Sequence, residues 1–185
     1  MSRVGILLAN GFEEVEALAV VDVLRRAGIS IDMVSVTGDL DLKSSRQIGI
    51  KADKLFEDMD QYDMIVLPGG LPGAATLRDD PKVIDLLKAY DAQGKYVAAI
   101  CAGPMALGVS GVAKGKKVTS YPDDTTKSYL TEADYQEDMV VVDGNVITSR
   151  GPATAWAFAY TIVDLLGGDS AKLKDAMLYS RYMEK

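Results

Sequence analysis

The chain of 185 residues contains no histidine, and cysteine and tryptophan occur once each. The absence of histidine removes the usual partner base of a nucleophilic cysteine and also the commonest metal ligand. A single cysteine cannot close an internal disulfide, so nothing indicates an oxidising compartment. No His/Cys/carboxylate cluster has the spacing of metal ligands, and we therefore expect no metal and no cofactor.

Excess basic charge and long apolar runs are also missing. The net charge of −7 argues against general nucleic-acid binding, because phosphates require a basic surface. No stretch approaches the length of a membrane span, and the first apolar run is too short for a signal peptide. We expect a cytoplasmic protein that does not bind membranes, with residues 1–185 forming one domain.

Short apolar runs alternate with helical patterns along the chain. Strands are predicted at 4–9, 30–38, 63–70, 95–100 and 116–121, and a hairpin where Asp143-Gly144 separates two β-branched runs. Helices are predicted from about Glu13 to Ala27, over 81–93, from Cys101 onward, from Pro152 to Gly167, and in the last residues. This alternation favours a three-layer α/β sandwich with a mostly parallel sheet, whose chemistry gathers at the carboxyl ends of the strands.

Cys101 lies between a predicted strand and a predicted helix, and Gly103 follows two residues later. Such spacing is typical of a nucleophile elbow, in which a sharp turn exposes the side chain. The free N–H groups and the dipole at the start of the helix favour a thiolate. The alternative is a buried structural cysteine, which behaves as a small hydrophobe.

A glycine-rich loop, LPGGLPGAATLRDD (67–80), follows the neighbouring strand. Its first glycines offer backbone N–H groups to an oxyanion, although a simple tight turn explains them equally well. The loop lacks the glycine order of either nucleotide-binding motif, which argues against phosphate binding.

Three glutamates begin the first predicted helix. Glu13 and Glu14 are explained as carboxylates that stabilise a helix N-terminus. Glu16 instead falls on the apolar arc with Val20 and Val23. Burial there raises the pKa of a carboxyl group. Because this helix starts at the same sheet edge as Cys101, Glu16 is a candidate proton shuttle in place of the missing histidine.

Five segments together resemble the ThiJ/PfpI superfamily, and in particular its small single-domain branch. They are ANGFEEVEA, VLPGG, AAICAGPMALG, KKVTSYP and ITSRGPATA, in the family's order over nearly the whole chain. The resemblance implies a flavodoxin-like sandwich and a homodimer. It makes Cys101 the nucleophilic, oxidation-prone cysteine and Glu16 the acid that hydrogen-bonds it.

The resemblance also implies the pocket. Gly69 and Gly70 would line it, and the amides of Gly70 and Ala102 would form an oxyanion hole. Arg46 and Arg150 match arginines near the pocket or the dimer interface, and Ser149 matches a residue that would contact a bound anion.

Two positions depart from the family. Ala102 stands where the protease-like branch has a histidine, which argues against a peptidase or amidase. Tyr121 stands where the nearest relatives have a pocket histidine, and tyrosine is a poor base at neutral pH.

Two functions remain in competition. The first is a cofactor-independent glyoxalase or protein deglycase, which acts on small dicarbonyls or on early glycation adducts. The second is a redox sensor or holdase chaperone that uses oxidation of Cys101 to sulfinate. The helix at 13–27 has apolar residues outside its main arc, among them Val15 and Leu18, and this surplus predicts a homodimer through that helix.

Overall fold

The computed structural model describes residues 2–183. Apolar and β-branched segments form most of the strands. These are β1 (Arg3–Leu8), β2 (Ser30–Ser35), β3 (Asp41–Lys43), β4 (Gly49–Lys51), β5 (Lys54–Leu55), β6 (Met64–Leu67), β7 (Tyr96–Ile100), β8 (Lys117–Val118), β9 (Asp134–Tyr135), β10 (Val140–Asp143) and β11 (Val146–Ser149).

Half of the helices between them start at residues whose side chains cap the first turn. The Glu13 carboxylate accepts the Glu16 N–H at 2.7 Å and fixes the start of the first helix. Asp80 caps the third helix, which has Pro81 at its first position. The helices are α1 (Glu14–Arg26), α2 (Gly73–Asp79), α3 (Pro81–Ala92), α4 (Pro104–Ser110), α5 (Asp124–Ser128), α6 (Ala155–Leu165), α7 (Ser170–Ala176) and α8 (Tyr179–Tyr182).

A seven-stranded sheet forms the middle layer, with the order β10-β11-β7-β6-β1-β2-β5. All neighbouring pairs are parallel except β10 and β11. The carboxyl ends of β1, β6, β7 and β11 therefore meet at one edge. Cys101 and the glycine loop lie at this edge, as the sequence predicts.

The sheet is covered on both faces because successive side chains of a strand point to opposite sides. Ile6 and Val66 pack with α1 and α6 in one apolar cluster. Leu7 and Ile65 pack with α2, α3 and α4 in the other. The predicted three-layer α/β sandwich with a mostly parallel sheet is confirmed.

The predicted hairpin is also present, although its turn lies one residue further on. Asp143 pairs with Val146, so the two loop residues are Gly144 and Asn145. Gly144 has a φ of +60°, a conformation that glycine adopts at little cost.

Several predicted boundaries are wrong. The helix expected from Cys101 begins only at Pro104, because Cys101 has a φ of +62° and cannot be helical. The strand expected at 116–121 is limited to β8, since the Thr119 N–H donates to the Thr148 hydroxyl instead of continuing a ladder. The single last helix is interrupted at Leu178, whose φ is +61°.

Two further segments differ from the prediction. The helix expected from Pro152 starts as a 3-10 turn, and its α-helical part begins at Ala155. The β3–β4 hairpin was not predicted at all, because its short strands are largely exposed and carry no apolar period.

Candidate active site

Cys101 occupies a sharp turn between β7 and α4. Its φ of +62° is a left-handed conformation that a non-glycine residue adopts only under strain. A Cβ at Gly103 would lie 2.5 Å from the Leu67 carbonyl oxygen, so only glycine permits this turn. Cys101 itself is half-buried. This is the geometry of a nucleophile elbow.

Gly69 brings the cysteine and Glu16 together. A Cβ at Gly69 would lie 2.6 Å from both the Cys101 Cβ and the Glu16 Oε2, and 2.9 Å from the Cys101 Sγ. The Gly69 N–H donates to Glu16 Oε2 at 2.8 Å. The side chains of Cys101 and Glu16 therefore both pack against the backbone of Gly69.

Glu16 is fully buried on the inner face of α1. Its Oε1 atom has no hydrogen bond of ordinary geometry, and the neighbouring thiol of Cys101 is the side chain that interacts with the carboxyl group. Desolvation raises the pKa of Glu16 to about 7, against the opposing effect of Cys101 and the Gly69 amide. The carboxyl group is therefore able to give or take a proton near neutral pH.

The Cys101 thiol responds to the same environment. Burial raises the pKa of the thiol, and the charge and hydrogen bond of Glu16 raise it further, whereas the N–H groups of Ala102 and Gly70 lower it. The negative charge of an ionised Glu16 therefore disfavours the thiolate that the sequence predicts. A proton on Glu16 removes the repulsion between the two charges, so the sulfur loses its proton most easily when the carboxyl group holds one.

Tyr121 stands at the mouth of this turn. Its N–H donates to the Cys101 carbonyl at 2.9 Å, and its ring lies beside Gly151, 3.6 Å from where a Cβ would stand. The side chain is 45% exposed, and within residues 2–183 its hydroxyl has no hydrogen-bond partner.

Ser149 supports the turn from β11. Its carbonyl accepts the Cys101 N–H at 3.1 Å. Its buried hydroxyl donates to the Met139 carbonyl at 2.7 Å and lies 2.7 Å from the Thr154 hydroxyl. Because these partners occupy the hydroxyl, the structure does not present Ser149 to an anion.

The two arginines predicted near the pocket, Arg46 and Arg150, lie on different loops. Arg150 donates from Nη1 to the Glu137 carbonyl at 2.7 Å, which holds the loop before β10. Arg46 is exposed on the turn between β3 and β4. That turn is attached to the start of α1, because the Ser45 N–H donates to the Phe12 carbonyl at 2.7 Å.

Thr154 and the two serines of the β3–β4 turn, Ser44 and Ser45, are not among the residues that the sequence predicts for the site. Thr154 accepts the N–H groups of Arg150 and Gly151 and orders the segment after β11. A threonine three residues after Gly151, in the first turn of the predicted helix, stands where a side chain reaches back to the N–H of the N-cap residue, and this spacing is the signal that indicates the role.

The part of the chain that the structure describes contains no group of three His, Cys, Asp or Glu side chains arranged for a metal ion. Within the same residues, no helix is long and apolar enough to cross a bilayer.

The protein is an α/β sandwich with a cysteine on a strained elbow. The cysteine lies against a buried carboxylic acid and not against a histidine base. These features together define a class of cysteine proteins. The sequence matches the DJ-1/PfpI family over residues 2–165, and the chain belongs to this family. The resemblance noted in the sequence is thereby confirmed.

Relatives cover most of the chain. It is 43% identical over 170 residues to the Parkinson disease protein 7 homolog of Danio rerio, covering 90% of each. It is 35% identical over 160 residues to the glutathione-independent glyoxalase DJR-1.2 of Caenorhabditis elegans, covering 84% of this chain and 83% of that protein.

Solved structures of DJ-1 proteins have the same fold as this chain. The crystal structure of Drosophila melanogaster DJ-1beta has a TM-score of 0.90 at 40% identity, covering 96% of this chain and 98% of that one. Oxidized DJ-1 of Toxoplasma gondii has a TM-score of 0.90 at 34% identity, with the same coverage.

Proposed function

We propose that the protein is a cofactor-independent glyoxalase that converts methylglyoxal-type dicarbonyls into hydroxy acids. The observation that carries this proposal is the contact of Cys101 with Glu16 across Gly69. It places a nucleophile beside a proton carrier whose pKa is near neutral. A relative described as a glutathione-independent glyoxalase supports the same chemistry.

The reaction begins when the Cys101 thiolate forms a C–S bond to the aldehyde carbon. The carbonyl electron pair moves to oxygen, which takes the proton of Glu16 to give a hemithioacetal. The N–H groups of Gly70 and Ala102 face the sulfur, so they are the donors available to stabilise the oxyanion.

Glu16 then moves a proton between the two carbons. Its carboxylate removes the hydrogen of the former aldehyde carbon as a proton, and the electron pair forms the double bond of an enediolate, whose charge lies on the oxygen of the neighbouring carbonyl. Glu16 returns this proton to the second carbon, and the hydroxyl proton of the first carbon passes to the oxygen of the second, which gives a thioester of lactic acid. Water then adds to the thioester and releases lactate and the thiol. One carbon is oxidised and the other reduced, so no external oxidant or reductant is needed.

Early glycation adducts are the second substrate class that this site supports. An aminocarbinol releases its dicarbonyl reversibly, and attack by the same cysteine leads to the same hemithioacetal. Tyr121 has an exposed ring and an unpaired hydroxyl, and its backbone is bonded to the Cys101 turn. Tyr121 donates a hydrogen bond to the substrate and is not the base, because that role falls to Glu16.

The test is methylglyoxal consumption with D- and L-lactate detection, in buffer without glutathione or other thiols. Wild type should turn over, and Cys101→Ser and Glu16→Gln should each lose at least about 100-fold in kcat/KM. Folded variants that retain wild-type turnover would contradict the proposal.

A redox function is the second candidate, and the half-buried, single cysteine favours it. The N–H groups of Ala102 and Gly70 would bind the oxygens of a sulfinate. A related structure is described as oxidized DJ-1. Peroxide-dependent mass gain at Cys101, in a protein without turnover, would favour this function over the first.

We also propose a homodimer through α1. Val15 is 44% exposed and Ile48 is 50% exposed, and with Leu18 and Trp156 they border an apolar cavity of about 310 Å³. Burial of such a face in a second copy removes apolar surface from water. A monomeric mass by light scattering at micromolar concentration would contradict this arrangement.

A further inference from the structure

A cavity of about 320 Å³ lies at the carboxyl edge of the sheet and does not include Cys101 in its lining. Three segments form it: residues 10–11 after β1, residues 43–45 and 47 at the end of β3 and in the turn that follows, and residues 71–72 before α2. The chemistry proposed for Cys101 and Glu16 uses none of the side chains of these loops.

The loops hold one another in place. The Gly11 N–H donates to the Lys43 carbonyl at 2.8 Å, and the Lys43 N–H donates to Asn10 Oδ1 at 2.9 Å. Gly11 has a φ of +86°, and a Cβ there would lie 2.3 Å from Pro72 Cδ. The cavity is therefore built by close backbone contacts and exists before any ligand binds.

The cavity is within reach of the cysteine. The Gly70 N–H faces the Cys101 sulfur, and Leu71, which lines the cavity, is the next residue. Adjacent Cα atoms are about 3.8 Å apart, so the cavity begins within roughly 10 Å of the sulfur. A substituent of a few carbon atoms on a Cys101-bound carbonyl would span this distance.

The side chains that line the cavity offer hydrogen-bond donors. Within residues 2–183 the Lys43 ammonium and the Gln47 amide have no ion pair or hydrogen bond, and Asn10 uses only its oxygen. Ser45 is already committed, since it donates to Glu14 Oε2 at 3.1 Å. Gln47 is held with a φ of +65°, a conformation that non-glycine residues keep only where the surrounding structure imposes it.

No carboxylate lines this cavity, although the protein as a whole carries a net charge of −7. One ammonium group and two amide groups, flanked by the apolar Leu71 and Pro72, match a carboxylate at the end of a short carbon chain. Arg46, exposed on the same turn, adds positive charge nearby, and Glu14 lies behind Ser45.

We propose that this cavity binds the carboxylate of an acid-bearing 2-oxoaldehyde, whose aldehyde carbon reacts with Cys101. The inference rests on the proposed glyoxalase function. It assigns to Lys43 and Gln47 a role in choosing the substrate, distinct from the chemistry of the cysteine.

The test compares 4,5-dioxopentanoate with its methyl ester, which has the same carbon chain without the charge, and with methylglyoxal. Wild type should prefer the acid over the ester by about tenfold in kcat/KM, the size of one charge-assisted hydrogen bond. Lys43→Met should remove this preference through KM. Lys51→Met, an exposed lysine of the same hairpin outside the cavity, should keep it.

Equal rates for acid and ester in wild type would overturn the inference, as would equal losses in Lys43→Met and Lys51→Met. Absence of any methylglyoxal turnover would overturn the proposed function instead. In that case we would titrate 4-oxopentanoate into nitrogen-15-labelled protein and follow the amide signals by NMR, to test whether the cavity binds a carboxylate. Amide shifts at Gly11, Lys43 and Gln47 that disappear in Lys43→Met support it, and their absence in wild type overturns it.

Discussion

Glu14 and Glu16 lie two residues apart in the first turn of α1, and both have little accessible surface. Their protonation differs in direction. Desolvation raises the pKa of Glu16 to about 7. Desolvation also acts on Glu14, but hydrogen bonds from its own N–H and from Ser45, Ser44 and Arg46 outweigh it and lower the pKa.

The two carboxyl groups therefore differ both in how strongly they are desolvated and in the donors that surround them. The hairpin turn surrounds Glu14 with hydroxyl and amide groups. Glu16 receives one backbone N–H, from Gly69, and faces a sulfur atom that competes for the same proton. One glutamate is a fixed charge that anchors a hairpin, and the other is a proton carrier.

The largest expected effect is on catalysis. Glu16→Gln should lower kcat/KM for methylglyoxal by about 100-fold or more, because the amide cannot accept the substrate proton. Glu14→Gln should leave the rate close to that of wild type. Comparable losses in the two variants would break the comparison, since both glutamates would then serve the reaction.

The second effect is on the pH dependence of stability. Between pH 4.5 and about 7 the folded protein keeps a proton on Glu16 that the unfolded chain has lost. The free energy of unfolding should therefore fall as pH rises through this window, by about 3 kcal/mol for a pKa that moves from 4.5 to about 7. Urea titrations of wild type and Glu16→Gln at pH 5 and pH 8 measure this difference.

Glu14 should act in the opposite sense. Its lowered pKa contributes stability above its ordinary value of 4.5, and this contribution is lost on acidification. A pH-independent difference between wild type and Glu16→Gln would contradict the assignment of the raised pKa to Glu16.

The third effect is steric. Gly69→Ala would place a methyl group 2.6 Å from both the Cys101 Cβ and Glu16 Oε2. We expect a loss of about 1 to 3 kcal/mol in the free energy of unfolding, together with reduced turnover. Gly49→Ala is the matched control, since no atom lies within 4 Å of its added Cβ. If both variants unfold at the same urea concentration, Gly69 does not pack as closely against Cys101 and Glu16 as described.

The smallest effect concerns the hairpin. Ser45→Ala removes one hydrogen bond to Glu14 and should cost about 1 kcal/mol at pH 7. The cost should shrink on acidification through the lowered pKa of Glu14, as the carboxylate takes up a proton. Thermal unfolding at pH 7 and at a series of acidic pH values provides the measurement, and a loss that is equal at every pH would show that the hydroxyl does not act through the carboxylate.

The sequence predicts the burial of Glu16 correctly because one helical period decides its position. Glu16, Val20 and Val23 are all fully buried, as their shared arc requires. The strands around them were equally clear, since continuous apolar runs are typical of strands buried on both faces.

The surroundings of Glu14 could not be predicted in the same way. The β3–β4 hairpin pairs Asp41 with Lys51 and has largely exposed strands, so its sequence shows no apolar alternation. The local spacing of Cys101 and Gly103 predicts the sharp turn, but the predicted helix starts three residues too early. The positive φ of Cys101 is supported by the Gly103 contact with β6 and by hydrogen bonds to Ser149 and Tyr121, which lie far along the chain and leave no trace in the local pattern.

Trp156 is half-buried and borders the apolar cavity beside Val15 and Leu18. It is the one tryptophan in the sequence. When the protein is excited at a wavelength that tyrosine hardly absorbs, the emission therefore comes mainly from Trp156. Its emission reports the polarity of the α1 face without any label. A blue shift that appears as the protein is concentrated gives an optical reading of whether that face is covered.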